Sequence, residues 1–321
     1  KGKGMKPRLR ALVSIALLAL VLWRLDLGRT LELLRSLEFG WMVLTLAVIV
    51  AGVFWSAWKW RILAAALGVG CSYLHLVRWY FIGSFFNHFL PTTVGGDAVR
   101  VTLLSRSSGQ IPASICSVLA ERLTGIIALV GIAAAGAWLV PVPAELRFLT
   151  LTYLILLLAL LAGGAWLLRG RHTPAKLEKP AGWKAKARYY AGLYAGQIAS
   201  YRNHRPTLAA ALLLSIGFQL LAITVGYLVG RTLEIPVAWS TCLLCIPLAT
   251  LAALLPVSIN GIGVRETAYV ALFTRSGLSS EQAFLIGFGT FVFVLLTSLV
   301  GGTLALWSEK EQPGGAPAEK G

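Results

Sequence analysis

The sequence predicts an all-α polytopic membrane protein, with about six transmembrane helices plus two re-entrant helical hairpins in an inverted repeat. Three observations lead to that class. Hydrophobic residues make up 57% of the 321-residue chain, charged residues only 13%, and mean hydropathy is +0.75, outside the soluble globular range. Apolar runs long enough to span a bilayer recur along the chain, without the alternation of a membrane β-barrel. One segment occurs twice: Leu90–Arg100 (LPTTVGGDAVR) and Leu255–Arg265 (LPVSINGIGVR) share Leu, Pro, Gly, Val and Arg at matching places. A repeated helix breaker with glycines and an arginine, in so apolar a chain, points to broken helices lining a membrane site.

The elements follow in order. The first span is expected over Leu9–Leu25. It resembles a signal peptide, but Arg24 and Leu25-Asp26-Leu27 offer no small-residue cleavage site, so a retained span is expected. Thr30–Leu37 is amphipathic through Leu31, Leu33, Leu34 and Leu37 and suits the membrane surface. Trp41–Trp58 forms the second span, with interfacial tryptophans at its ends. Leu74–Leu90 leads into the first copy of the repeat, broken at Pro91. Ile111–Leu139 and Phe148–Leu168 are the third and fourth spans, followed by a basic loop, 170–206. Thr207–Gly230 is the fifth span, Thr241–Leu255 leads into the second copy at Pro256, and Ala283–Trp307 is the sixth. Residues 310–321 have the composition of a disordered tail.

Charge sets the orientation. The N-terminus carries Lys1, Lys3, Lys6, Arg8 and Arg10 with no acid, and the 170–206 segment carries eight Lys or Arg against Glu178. The positive-inside rule places both in the cytoplasm, together with Lys59 and Arg61 at the end of the second span, and both termini. The first re-entrant segment then enters and leaves on the cytoplasmic side and the second on the outer side. The halves are 1–143 and 144–309, and corresponding features recur at an offset of 165 to 170 residues. This is a transporter architecture.

The formal net charge of +16 lies between apolar spans rather than in a soluble basic domain, which excludes nucleic acid as the partner and favours anionic lipids of the cytoplasmic leaflet. Cys71, Cys116, Cys242 and Cys245 sit in apolar surroundings with no His cluster, so no metal site or disulfide framework is expected. No nucleotide loop, zinc motif or nucleophile elbow is present; neither a cofactor nor an enzyme is expected.

The chemistry is expected at the two loops. Gly95, Gly96, Gly261 and Gly263 permit turns and close backbone approach, and Asn260 tolerates a left-handed conformation. Helix starts near Asp97 and Val264 offer free N–H groups to an anion, and Arg100 and Arg265 one turn on add planar forks suited to phosphate. Alternatively each arginine pairs with a local carboxylate, Asp97 or Glu266. Asn87 is expected to bond loop backbone. Glu121-Arg122 lies inside the third span, where charge is costly and faces a cavity or a partner. The second half has no equivalent, so Glu121 is either a proton carrier or one arm of an ion pair with a loop arginine.

Asn87-His88-Phe89-Leu90-Pro91, Gly96-Asp97, Arg100, Glu121-Arg122, and Leu255-Pro256 through Gly261-x-Gly263-x-Arg265-Glu266 resemble the lysylphosphatidylglycerol synthase transmembrane-region family, also called flippase-like domain proteins. Asn260 departs from the glycine expected there. The resemblance covers essentially the whole chain and implies a lipid-flipping domain without the soluble aminoacyltransferase that follows it in bifunctional bacterial members. Relatives that stand alone are associated with varied lipids, hopanoids and polyprenyl-linked glycans among them. The expected function is therefore a flippase of the bacterial inner membrane, moving a phosphate-bearing lipid by alternating access. The other readings are a non-transporting accessory subunit of an envelope glycosyltransferase or lipid-modifying complex, with an envelope biosynthesis enzyme as partner, and an intramembrane lipid-modifying enzyme.

Overall fold

Each regular element is a helix in the computed structural model of the protein, which describes residues 28, 37–89, 95–139, 144–169, 183–254, 258 and 260–310. In chain order the α-helices are α1 Phe39–Ala66, α2 Tyr73–Phe89, α3 Gly95–Ser108, α4 Ile111–Leu139, α5 Ala144–Arg169, α6 Trp183–Ser200, α7 Arg205–Thr232, α8 Trp239–Ala253, α9 Val264–Phe273 and α10 Ser280–Lys310. Among the described residues, four helical runs are long and apolar enough to cross a membrane: Phe39–Ala66, Ile111–Trp138, Gly192–Thr232 and Ser280–Trp307. The expected span Phe148–Leu168 falls within α5, whose apolar part, Thr150–Gly163, is shorter than a crossing. The expected span Leu9–Leu25, the surface segment Thr30–Leu37 apart from Leu37, and the tail beyond Lys310 lie outside the described residues.

Two expectations need correction. The basic connection 170–206 is not a loop throughout, because Trp183–Ser200 is helical and a 3-10 turn, Tyr201–His204, joins it to α7. Its Ala, Lys, Arg and Tyr content, with no proline between Pro180 and Pro206, lets the helix run through Gly192 and Gly196. Nor does Lys59 mark the end of its span. The helix α1 continues to Ala66, and Lys59 is 3% exposed.

Glycine ends several helices where the chain must turn. After α1, Gly68 is left-handed (φ 76°), and the N–H groups of Gly68 and Val69 reach back to the Ala65 and Ala64 carbonyls at 3.0 Å each. This is the paired closing bond of a helix C-terminus. The end of α7 is built alike with Glu234 in the left-handed position (φ 53°), where Ile235 N–H reaches Gly230 at 2.8 Å. Gly109 (φ 71°) and Gly277 (φ 94°) do the same service behind α3 and behind the 3-10 turn that follows α9.

The packing repeats as well. Helices α1 and α7 lie against each other, joined by Trp55 Nε1 donating to the Leu214 carbonyl at 2.7 Å. Hairpin α2–α3 packs on α10, and hairpin α8–α9 packs on α4. Both contacts are made backbone to backbone at a glycine. A methyl on Gly301 of α10 would overlap the Phe81 carbonyl of α2, and one on Gly136 of α4 would meet the Leu243 carbonyl of α8 at 3.1 Å. Pro247, inside α8, has no N–H to offer that same Leu243 carbonyl. One apolar core gathers around α4, α7, α8, α9 and α10; another gathers around α1, α2 and the first turns of α4.

Candidate functional site

The first hairpin is held shut by its own backbone. Gly95 and Gly96 do not make a turn; they are the first residues of α3. A Cβ on Gly96 would run into the Gly83 carbonyl and the Asn87 amide, and Gly96 N–H donates to Asn87 Oδ1 at 2.8 Å. Asn87 therefore bonds loop-proximal backbone as expected. This close approach of α2 and α3 aims Asp97 and Arg100 at α4.

There they meet Glu121 and Arg122. Arg122 Nε and Nη2 donate to the two oxygens of Asp97, both at 2.8 Å. Arg100 donates to Glu121 and lies 3.5 Å from Asp97. Its guanidinium is sandwiched between the rings of Trp60 and Tyr80, each centred 4.2 Å away, and the residue is 2% exposed. Tyr80 Oη donates to the other oxygen of Glu121 at 3.1 Å. Lys59 Nζ stands 3.9 Å from that oxygen and donates to Ser215 Oγ on α7 at 3.2 Å. Five charges are thus interlocked, four of them buried, an arrangement that persists only because each has a partner. Among the described residues, Lys59, Arg100 and Arg122 face only Asp97 and Glu121, which leaves one positive charge in surplus. The Arg122 side chain is 47% exposed, the most accessible charge of the set.

The second loop is built on a different plan. Asn260 (φ 51°), Gly261 (φ 74°) and Gly263 (φ 82°) are left-handed and lead into α9. Glu266, 1% exposed, accepts the Gly263 N–H at 2.7 Å and receives Arg265 Nη2 at 2.7 Å. The carboxylate thereby occupies the N-terminus of α9 that an external anion would need. Arg265 also stacks on Phe291 of α10 at 4.8 Å, and the His88 ring at the end of α2 lies 5.8 Å from that same phenyl.

The structure thus brings Asp97, Arg100, Glu121 and Arg122 into one cluster, with Asn87, Gly95 and Gly96 behind it. Asn260, Gly261, Gly263, Arg265 and Glu266 form another. The sequence reading missed Lys59, Trp60 and Tyr80. The signal available was that α1 stays apolar through Ile62-Leu63-Ala64 after Lys59, so the lysine is internal.

Two cavities adjoin the first cluster. One, of about 260 Å³, is lined by Lys59, Tyr80, Glu121, Arg122, Gln219 and Thr250 together with apolar side chains. Leu254, the last described residue before the second loop, also reaches it. The other, of about 180 Å³, lies between α1, α2, α7 and α10 and is almost wholly apolar. Tyr80, Phe218 and Ala222 line both. Among the described residues, no group of three or more His, Cys, Asp or Glu stands ready for a metal ion.

Residues 9–302 match the family model of the lysylphosphatidylglycerol synthase TM region. The chain is also similar to a UPF0104 membrane protein of Pyrococcus horikoshii, 25% identical over 129 residues, which is 39% of this chain and 38% of that protein. A UPF0104 membrane protein of Archaeoglobus fulgidus is 29% identical over 114 residues, 35% of this chain and 34% of the relative. The matched stretches thus span little more than a third of either relative.

Proposed function

We infer function from one premise: the chain belongs to the family of the lysylphosphatidylglycerol synthase transmembrane region. It is a lipid flippase that moves a phosphate-bearing lipid between leaflets by alternating access, without covalent change to the lipid. The observation that carries this reading is the interlocked cluster of Lys59, Asp97, Arg100, Glu121 and Arg122, which faces a cavity inside an apolar helical protein and holds one positive charge in surplus. An uncompensated cation in low dielectric is costly, and an anionic headgroup offsets it.

The packing supports the inverted repeat that alternating access uses. Exchange of α1 with α7, α2 with α8, α3 with α9 and α4 with α10 maps each main contact among these eight helices onto another of them, and the α1–α7 contact onto itself. The glycine contacts of Gly136 on Leu243 and Gly301 on Phe81 are one such pair. In this reading the hairpins α2–α3 and α8–α9 are the re-entrant segments, 1–143 and 144–309 are the halves, and the protein is multi-pass in a bacterial inner membrane with both termini cytoplasmic. Arg122 and Lys59 offer charge to the headgroup. Arg100, closed in by rings and carboxylates, positions Glu121, and Arg265 steadies the second loop.

Reconstitution tests the reading. Proteoliposomes of the full chain carrying fluorescent phosphatidylglycerol are exposed to dithionite, which bleaches the outer leaflet alone. Protein-dependent bleaching of the inner-leaflet pool, lost in Arg122→Gln, is expected. Absence of any protein-dependent movement, with folded protein in the vesicles, sinks it.

A further inference from the structure

We propose that the two adjoining cavities are one amphipathic site, which takes a lipid of single negative charge with a hydrocarbon chain drawn inside the protein rather than left in the bilayer. The inference rests on the lipid-transport reading and adds the ligand's charge and the path of its chain.

The charge follows from the cluster. Three cations face two carboxylates around the larger cavity, and the groups within electrostatic reach of Glu121 are Arg100, Lys59 and Arg122. One phosphodiester brings that set to neutrality. A lipid whose headgroup also bears ammonium groups, such as a lysyl ester of phosphatidylglycerol, adds positive charge to a site already positive. Arg122 is fixed by Asp97 along one edge, and its accessible side chain lines the cavity, where its fork suits phosphate oxygens.

The path of the chain follows from the second cavity. Its walls are aliphatic and aromatic, with four serines and threonines among them. Three of those hydroxyls turn back onto their own helix: Thr290 to Ile286, Thr297 to Phe293 and Ser298 to Leu295, at 2.7 to 2.9 Å. The space they leave is apolar. Enclosed apolar cavities of about 150 Å³ stay dry and accept hydrocarbon; this one, about 180 Å³ and partly open, has the same apolar lining. Tyr80 ties the two spaces together, since it lines both and its hydroxyl bonds Glu121. A headgroup at Arg122 therefore has, past Tyr80 and Phe218, an unfilled apolar space for the first part of its chain.

The test compares two phosphatidylglycerols with the same headgroup, dioleoyl and dibutanoyl, binding to the purified full chain in maltoside micelles by native mass spectrometry. The variant Gly52→Leu fills the apolar cavity. A Cβ there meets only the Phe218 ring, at 3.6 Å, so the helix tolerates it. The preference for the long over the short lipid is expected to fall about tenfold in Gly52→Leu, and to survive in Gly131→Ala, whose added methyl meets nothing. Thr297→Leu fills the same space from α10 and serves if Gly52→Leu unfolds. Binding of both lipids is expected to fall about tenfold or more in Arg122→Gln, and the parent is expected to prefer phosphatidylglycerol to its lysyl ester. An unchanged chain-length preference in the filled variants overturns the internal chain and leaves lipid transport standing. Equal affinity for the lysyl ester overturns the charge assignment. Parent-like binding of both lipids by Arg122→Gln overturns the headgroup reading itself.

Discussion

Arg122 on α4 and Asp97 at the start of α3 form a two-pronged ion pair, with both bonds at 2.8 Å. The pair roots the most accessible cation of the cluster on a buried carboxylate, and it ties the first hairpin to the long helix beside it. Local packing (Gly96 against Gly83) thereby fixes the place of a charge that faces the cavity.

This pair is expected to show coupling in a double-mutant cycle. Asp97→Asn and Arg122→Gln each remove a charge-assisted bond of about 1.5–3 kcal/mol, discounted towards the lower end because Arg122 is half exposed. The double variant should lose less than the sum of the two by about 1 kcal/mol, measured by thermal or denaturant unfolding in detergent. Strict additivity shows that the pair contributes nothing to the hairpin.

Close backbone contact at glycine gives a second expectation. Gly96→Ala and Gly301→Ala each place a methyl on a carbonyl of α2, and overpacking of this type costs about 1–3 kcal/mol. Gly131→Ala, in open space on α4, should be neutral or stabilising by up to about 1 kcal/mol. Equal melting temperatures for all three variants would mean that the helices separate easily at these points, and that the hairpin is not seated on α10.

Much of this was legible in the sequence, and what was not has a physical reason. Asn87 bonding loop backbone, the start of α9 at Val264, the Arg265–Glu266 pair and the pairing of Glu121 with a loop arginine all follow from local spacing or from the cost of intramembrane charge. Lys59 misled, because a lysine near tryptophan and arginine after an apolar run has the look of an interfacial end. The apolar Ile62-Leu63-Ala64 beyond it hints that it is internal, and its distant partners Ser215 and Glu121 make it so. The rings around Arg100 come from α1 and α2, and no periodicity within either helix announces that they face one guanidinium. At Asn260 the sequence showed a departure from glycine, and the structure shows a left-handed residue there all the same. Asparagine tolerates that conformation better than most residues.

Orientation is open to direct measurement. With the four native cysteines replaced, single cysteines at Phe89 and Leu254, each about half exposed, mark the ends of α2 and α8 next to the two loops. An impermeant maleimide is expected to reach position 89 only from the cytoplasmic side and position 254 only from the outer side. Labelling of both from one side, in every condition of ligand, contradicts the inverted repeat.

Glu121 decides how charge moves with the lipid. Its two oxygens already receive Arg100 and Tyr80, with Lys59 close by, so the carboxylate is committed to tying three helices to α4. An anion driven inward against the membrane potential needs about 2.3 kcal/mol per charge per 100 mV, which a co-transported proton would cancel. The bonding of Glu121 argues instead that it sets the charge of the site. Glu121→Gln removes one negative charge, raises the surplus in the cluster from one to two, and should tighten phosphatidylglycerol binding about tenfold while slowing its release across the bilayer. Any pH dependence of transport should persist in that variant. Glu121→Asp keeps the charge, so affinity should stay near the parent's while the shorter arm loosens Arg100 and lowers the unfolding temperature. Binding by native mass spectrometry and dithionite-based transport at several pH values read both consequences. Loss of pH dependence in Glu121→Gln with unchanged affinity would make Glu121 the proton carrier and overturn its assignment as the fixed counter-charge.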